Sequence, residues 1–303
     1  MMNLLVIDRS DSWHVSDLRR AAGIECQITT ATYDDLSVRF DDDNESEFFA
    51  GEQLVHQFDA IFTRAMPASS LEQIVFRMDW LNQVEFQLQT PVVNPSRTIE
   101  CCIDKYLSLE KLRAHKVPVP FSNASQTVDQ ALNFFENAGC DSVVKPIFGS
   151  RGRNIVRLQS LPEAERYFSE LEKSKSVIYQ QQYIEHGDVD YRLLVVGDQV
   201  FGMRRTLEGS WIVNASLGAK CEPHTVSELE YAIAIQAAHS QNAFIVGVDL
   251  VYRAKDNFPF VVEVNACPSW RNLSEATDVD ISAAVISLTA NLANQRFRDF
   301  SPV

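Results

Sequence analysis

Gly247-Val-Asp-Leu-Val251 and, after a short polar turn, Phe260-Val-Val-Glu-Val-Asn265 decide how this chain is read. Both runs are apolar and strand-length, yet they carry Asp249, Glu263 and Asn265. A carboxylate inside an apolar strand is costly to bury without a partner. Three converging oxygen-bearing side chains suit a hard cation, and Mg2+ holding phosphates is the natural candidate. Glu263 and Asn265 are two residues apart and share one face of a strand. Asp249 reaches them if its strand is the hairpin neighbour. An occasional inward acid is also an ordinary strand feature, so the segment alone fits either reading.

Working upstream, Ser227 to Gln241 reads as a helix. Before it, Asp190–Val196 and Val200–Arg205 read as antiparallel strands joined by a Gly197-Asp198 hairpin turn. Val177–Tyr183, Ile155–Leu158 and Asp141–Pro146 are further strands, with helices at Thr127–Ala138 and after Ser160, where Pro162 suits a helix N-terminus. Ser96–Lys116 reads as one helix, followed by the extended Val117-Pro-Val-Pro120. The first 95 residues alternate strand and helix, an open α/β pattern. The acidic run Asp41–Glu47 reads as a solvated loop. The expected organisation is an α/β unit over 1–95, a central unit over 96–183 and an α+β unit over 184–303.

Composition narrows the function. The 303 residues carry a net charge of −14. Non-specific nucleic-acid binding needs a basic footprint, and anionic membranes attract basic segments, so neither partner is expected. No apolar run approaches the roughly 20 residues that span a bilayer. The N-terminus reads as a first strand and not as a signal peptide. The six cysteines form no C-x-x-C pair, and reduced thiols in a cytoplasmic protein are expected.

Several segments have both a plain and a chemical reading. The loop Phe148-Gly-Ser-Arg-Gly-Arg-Asn154 lies between strands and lacks the Gly-Lys-Ser/Thr end of a P-loop. It is either an exposed basic hairpin or a phosphate cradle in which Gly149 and Gly152 let backbone amides approach and Ser150, Arg151 and Arg153 add donors. Lys145 ends an apolar strand and either snorkels to water or meets phosphate. Lys105 is either a surface helix residue or a second phosphate clamp. Gln181-Gln182-Tyr183-Ile184 is either a strand end or a hinge whose backbone reads an adenine edge. Asp190 and Arg192 share a strand face, and Arg204 on the neighbouring strand either joins Arg192 in one cleft or completes a surface charge ladder.

In this order, Lys105, Val-Val-Lys145-Pro, the Gly149–Asn154 loop, Gln-Gln-Tyr-Ile, Asp190-Tyr-Arg192, Asn214, Asp249 and Glu263-Val-Asn265 resemble the motif series of ATP-grasp ligases, specifically the RimK-type branch that joins glutamate or similar amino acids to a carboxylate. The resemblance covers nearly all of residues 1–280. It implies a three-domain ATP-grasp architecture of α/β and α+β parts, with ATP between the central and C-terminal domains. Lys105 and Lys145 would hold phosphates, and residues 181–184 the adenine. Asp190 would meet the ribose, with Asn214 also among the nucleotide contacts. Asp249, Glu263 and Asn265 would hold two Mg2+ ions, with Mn2+ as a substitute. Arg192 and Arg204 would face an acyl phosphate. A small-molecule or peptide carboxylate would be the acceptor and glutamate the favoured amino acid. Relatives are commonly dimers or tetramers. Stretches around Arg64–Asp79 and Glu263–Arg271 resemble a bacterial subgroup linked to tetrahydromethanopterin-type C1 metabolism.

The chain departs from the pattern at three points. Gln182 stands where glutamate is usual. Ile212 stands where RimK-type enzymes often place arginine, which makes Trp-Ile-Val-Asn214 resemble LysX-type ligases acting on a carrier protein. Leu217 lies where those ligases have a nearby arginine. A LysX-type or peptide-forming ligase and a catalytically inactive ATP-binding sensor are therefore the alternatives.

Overall fold

A computed structural model describes residues 1–40, 42, 45–149 and 154–299, with side chains through residue 295. The chain opens with strand β1 (Met2–Ile7), helix α1 (Trp13–Ala22) and strand β2 (Cys26–Ala31). A small antiparallel sheet follows, made by β3 (Leu36–Phe40), β4 (Ser46–Ala50) and β5 (Gln53–Leu54). The acidic run expected as loop therefore ends inside a strand, because Phe48 and Ala50 are buried against Tyr33 and Val55. Next come β6 (Ala60–Thr63), α2 (Leu71–Gln87) and the two-residue β7 (Val92–Val93). The first sheet is parallel, in order β2-β1-β6-β7.

The helix expected over 96–116 is two helices, α3 (Ser96–Ile103) and α4 (Lys105–Ala114). Asp104 breaks it. Its backbone is extended and its carboxylate accepts from the amides of Tyr106 and Leu107, capping α4. Lys105 is thus the first residue of a helix and not an interior one.

The central layer contains β8 (Ser122–Ser125), α5 (Val128–Asn137), β9 (Ser142–Lys145), β10 (Val156–Leu158), α6 (Leu161–Lys173) and β11 (Ile178–Gln182). Its sheet is antiparallel, in order β10-β9-β11-β8. Phe135, Phe168, Val144 and Ile178 form the core beneath it.

The largest sheet, in order β14-β13-β12-β15-β16, is built from β12 (Val189–Val196), β13 (Gln199–Thr206), β14 (Lys220–His224), β15 (Ile245–Arg253) and β16 (Phe258–Asn265). Helix α7 (Glu228–Ser240) covers one face, where Leu193, Val195, Val248 and Leu250 pack on Ile233 and Ala237. Leu112 and Val117 join that core. The other face packs Leu194, Val196 and Met203 against Trp270, Leu273 of α8 (Arg271–Thr277), Ile281 and Val285 of α9 (Ile281–Asp299), and Leu4 and Val6 of β1. The chain's last helices therefore weld the first parallel sheet to the last antiparallel one. At Asn94, the side chain donates to the carbonyls of Ile245 and Ala266 and accepts from the amides of Phe244 and Ile245, fixing the same joint.

Candidate active site

Alternation along the strands decides which side chains meet. Asp249 on β15 lies directly opposite Glu263 on β16, and Gly247 opposite Asn265. The ladder shifts between Asp249 and Leu250, so Val262 is extra on the β16 side. On the next strand, Arg192 lies opposite Asp249 and Asp190 opposite Arg205. One face of the sheet thus carries Asp190, Arg192, Arg205, Asp249, Glu263 and Asn265.

Arg204 is not among them. It pairs with Tyr191, on the face covered by α7, and its guanidinium lies 3.4 Å from Glu222. The expectation that Arg204 joins Arg192 in one cleft is corrected: Arg205 takes that place. The signal was available in sequence. Once Gly197 and Asp198 form a two-residue turn, Val196 faces Gln199, and counting back pairs Asp190 with Arg205.

Arg205 is 4% exposed and forks onto Asp190 with two 2.6 Å bonds, and its Nη2 also reaches Asp249 at 2.9 Å. Arg192 donates from Nη2 to the other oxygen of Asp249 at 2.9 Å. Burial pushes Asp190 up to about 6 against the pull of Arg205. Burial acts on Asp249 in the same sense, but Arg192 and Arg205 together outweigh it and hold Asp249 below the usual carboxylate range. Asp190, expected at a ribose, has both oxygens on Arg205.

Facing this sheet across a cleft is the end of β9. Lys145 donates to Gln181 Oε1 at 2.7 Å and to the Val262 carbonyl at 3.4 Å. Burial lowers its pKa to about 8, opposed by Glu263. Lys105 reaches the Gly149 carbonyl at 2.7 Å and lies 3.8 Å from Glu263. Lys105 thus lies beside Glu263, and Lys145, from another element, feels its charge across the cleft. Ser150, Arg151 and Gly152 lie outside the described residues. Gln181 is buried, and its amide donates to Ser122 Oγ and Tyr179 OH. Gln182 donates through its side chain to the Ala138 carbonyl.

The cleft is partly open to solvent. Val143, Ile155, Ile184, Val251 and Val262 supply apolar walls, while Lys145, Gln181, Asp190, Asn214, Asp249 and Glu263 supply polar groups. Tyr183 and Trp211 meet edge to face at its rim, with the Arg157 guanidinium 3.4 Å from the Tyr183 ring centre and forked onto Asp141. Sequence reading missed Arg157, Trp211 and Arg205; the first two are brought in by packing and left no local signal. Asn214 caps a short turn by accepting from the Ser216 amide. Asn265 accepts from the Cys267 amide through Oδ1.

The donor set suits a hard cation. Glu263 is partly exposed and lightly engaged, Asn265 stands two residues on along the same face, and Asp249 is deprotonated across from Glu263. One or two carboxylates with neutral oxygens match what Mg2+ takes from a protein when phosphates complete its shell. Among the described residues no group of three His, Cys, Asp or Glu side chains gathers for a metal, so the set would lean on the nucleotide.

An apolar slot, two lysines and a carboxylate floor thus lie between two antiparallel sheets. The RimK-like ATP-grasp domain profile matches residues 102–289, and the chain belongs to that family. It is an ATP-dependent carboxylate–amine ligase. It is 28% identical over 273 residues to tetrahydromethanopterin:alpha-L-glutamate ligase of Methanosarcina acetivorans, covering 81% of this chain and 84% of that one. It is 27% identical over 209 residues to the alpha-aminoadipate–LysW ligase LysX of Saccharolobus solfataricus, covering 67% and 76%. In fold it matches the ATP-grasp ligase PsnB complexed with minimal precursor, Mg and ADP, with a TM-score of 0.72 over 96% of this chain and 98% of that one at 21% identity. Among the described residues no helix is long and apolar enough to cross a membrane.

Proposed function

We propose that the protein joins an amino acid, glutamate in the first place, to a carboxylate of a small-molecule or peptide acceptor. The observation that carries this reading is the gathering of Lys105 and Lys145 near Glu263, which lies opposite Asp249, at the polar end of an apolar slot. The acceptor carboxylate attacks the γ-phosphorus of ATP and releases ADP. The amine then attacks the acyl phosphate, expels phosphate and forms the amide. Lys105 and Lys145 neutralise phosphate charge, and Arg192, once off Asp249, faces the acyl phosphate. Arg205 keeps Asp190 and Asp249 ionised and fixed. Asp249, Glu263 and Asn265 would hold Mg2+, two ions or Mn2+ in their stead, which supply charge for phosphoryl transfer. Residues 181–184 border the adenine, Gly149, Ser150, Arg151 and Gly152 are the candidate phosphate contacts, and the ribose lies near Asp190 and Asn214. Units over 1–95, 96–183 and 184–303 fit this division of labour.

The Methanosarcina relative makes a tetrahydropterin cofactor the first acceptor to try. A carrier-protein acceptor is the second reading, favoured by Ile212, which lines the cleft where an arginine would repel apolar contact. A cytoplasmic homodimer or homotetramer is the expected setting. Incubation with Mg-ATP, L-glutamate and candidate carboxylates tests the reading. ADP release stimulated by substrate, with a product heavier by one glutamyl residue, supports it. Tight ATP binding with no product from any acceptor would leave only the inactive sensor.

A further inference from the structure

A second polar site lies at the opposite edge of the segment that follows β16. In the parallel sheet, β1 has β2 on one side and β6 on the other, so the chain reverses direction at β1/β6. The crevice beyond the carboxyl ends of such strands is where open α/β sheets take ligands. Arg64 sits there: it directly follows β6, and its amide donates to the Ile7 carbonyl at the end of β1. Over it runs Cys267-Pro-Ser-Trp270, the continuation of the strand that carries Glu263 and Asn265.

Arg64 is 6% exposed, and among the described residues no carboxylate lies within ion-pair distance of it. Its Nη1 donates to the Pro268 carbonyl at 2.7 Å, Nη2 lies 3.3 Å from His14 Nε2, and the buried Nε has no partner. The guanidinium lies over the Trp270 ring. His14 cannot balance the charge: it is an imidazole, held neutral by burial and by Arg64 itself. Asp8 acts on Arg64 through space without an ion pair, and a buried guanidinium without an anion in contact is strongly unfavourable. This contrasts with Arg77, Arg192 and Arg205, each of which has an acid within hydrogen-bond distance. His14 Nε2 in turn makes a 3.1 Å bridge to the exposed Ser269 Oγ. Displacing that bridge exposes three hydrogen-bonding groups to one anion: Arg64 Nη2, His14 Nε2 and Ser269 Oγ.

We propose that Arg64, His14 and Ser269 form the docking point for a carboxylate of the incoming amino acid, a carboxylate that does not react. The inference rests on the ligase reading above, because it needs an amine substrate that carries a spare acid group. Distance supports it. From Asn265 to Pro268 is three residues, so the docking point stands within about 10 Å of chain from the phosphate end of the cleft. An amino acid anchored there can direct its amine toward the acyl phosphate. A chain of net charge −14 repels free anions, so an uncompensated arginine serves as a local attractant.

The test uses the full-length protein with Mg-ATP and L-glutamate as probe. Product formation by the wild type is measured first; its failure with every amino acid sinks the ligase reading itself. With an active wild type, Arg64→Lys should raise the KM for L-glutamate at least tenfold, since the rigid guanidinium that presents Nη2 to the carboxylate is lost, while Mg-ADP affinity stays within twofold. Ser269→Asp, at an exposed position, places an acid beside Arg64. It should raise the melting temperature and raise the same KM at least tenfold. The wild type should discriminate against L-glutamine or the α-amide of glutamate, whichever lacks the docked carboxylate, and Arg64→Lys should lose that discrimination. An active wild type whose glutamate KM and analogue preference are unchanged in both variants would overturn the proposal and leave the ligase reading standing.

Discussion

Mg-ADP should bind this protein more weakly above pH 8, and Lys145 is the reason. In the free protein burial holds the Lys145 ammonium at a pKa of about 8, against 10.5 for an ordinary lysine. Its present partners, Gln181 Oε1 and the Val262 carbonyl, are neutral. Phosphate oxygens in their place would favour the charged form and return the pKa to the ordinary value or above. Below pH 8 the free and bound forms both carry the proton, so affinity is flat. Between about pH 8 and 10.5 only the bound form carries it, and Kd rises about tenfold per unit. At about pH 9.5 the loss is roughly 30-fold, or about 2 kcal/mol. Calorimetric titration in buffers of different ionisation enthalpy should show close to one proton taken up on binding at that pH and close to none at about pH 7. Lys145→Arg stays charged throughout and should flatten the profile. A Kd independent of pH in the wild type, or a slope that survives in Lys145→Arg, would refute the reasoning.

Glu263→Gln should fold normally and lose turnover by about two orders of magnitude or more, because an ionised oxygen donor is replaced by an amide; wild-type ATP consumption by the variant would remove Glu263 from the metal site. Arg205→Met should lower unfolding free energy by about 3–5 kcal/mol in denaturant titrations, since it strands Asp190 and leaves Asp249 with one partner; a loss below about 1 kcal/mol would show that the buried cluster is not held by Arg205. A Cβ at Gly247 would collide with Arg192 Nη1 and stand 3.1 Å from Pro268 Cβ. The side-chain end of Arg192 can swing away, so Gly247→Ala should cost only about 1 kcal/mol of stability. It should nonetheless cut kcat about tenfold or more through loss of the Arg192 position; unchanged kcat would separate Arg192 from the chemistry.

Much of the site was legible because burial rules are strict. Acids in apolar strands need partners, and Asp249, Glu263 and Asn265 could be paired from the hairpin alone. The cleft face of Arg192 followed from period two. The choice between Arg204 and Arg205 needed the register, which the Gly197-Asp198 turn fixes but residue spacing along one strand does not. Asp104 was misread because helical apolar spacing runs through it, whereas a capping carboxylate resets the helix there. Ser122–Ser125 lacks the apolar alternation of a strand and forms one because β11 offers an edge. The apolar pattern of 281–293 fits any amphipathic helix; that it joins the first and last sheets depends on contacts more than 200 residues apart, such as Ser282 with Asp17. The uncompensated charge of Arg64 could not be read at all, since sequence does not show which acids are missing from a guanidinium's surroundings.

The central claim is that an acceptor carboxylate is activated by phosphoryl transfer in the cleft floored by Asp249 and Glu263. A single-turnover reaction with an acceptor labelled with 18O in its carboxylate tests it most directly. One labelled oxygen should appear in the released phosphate, in step with ADP and amide. Label in AMP, or phosphate free of label while amide forms, would contradict it.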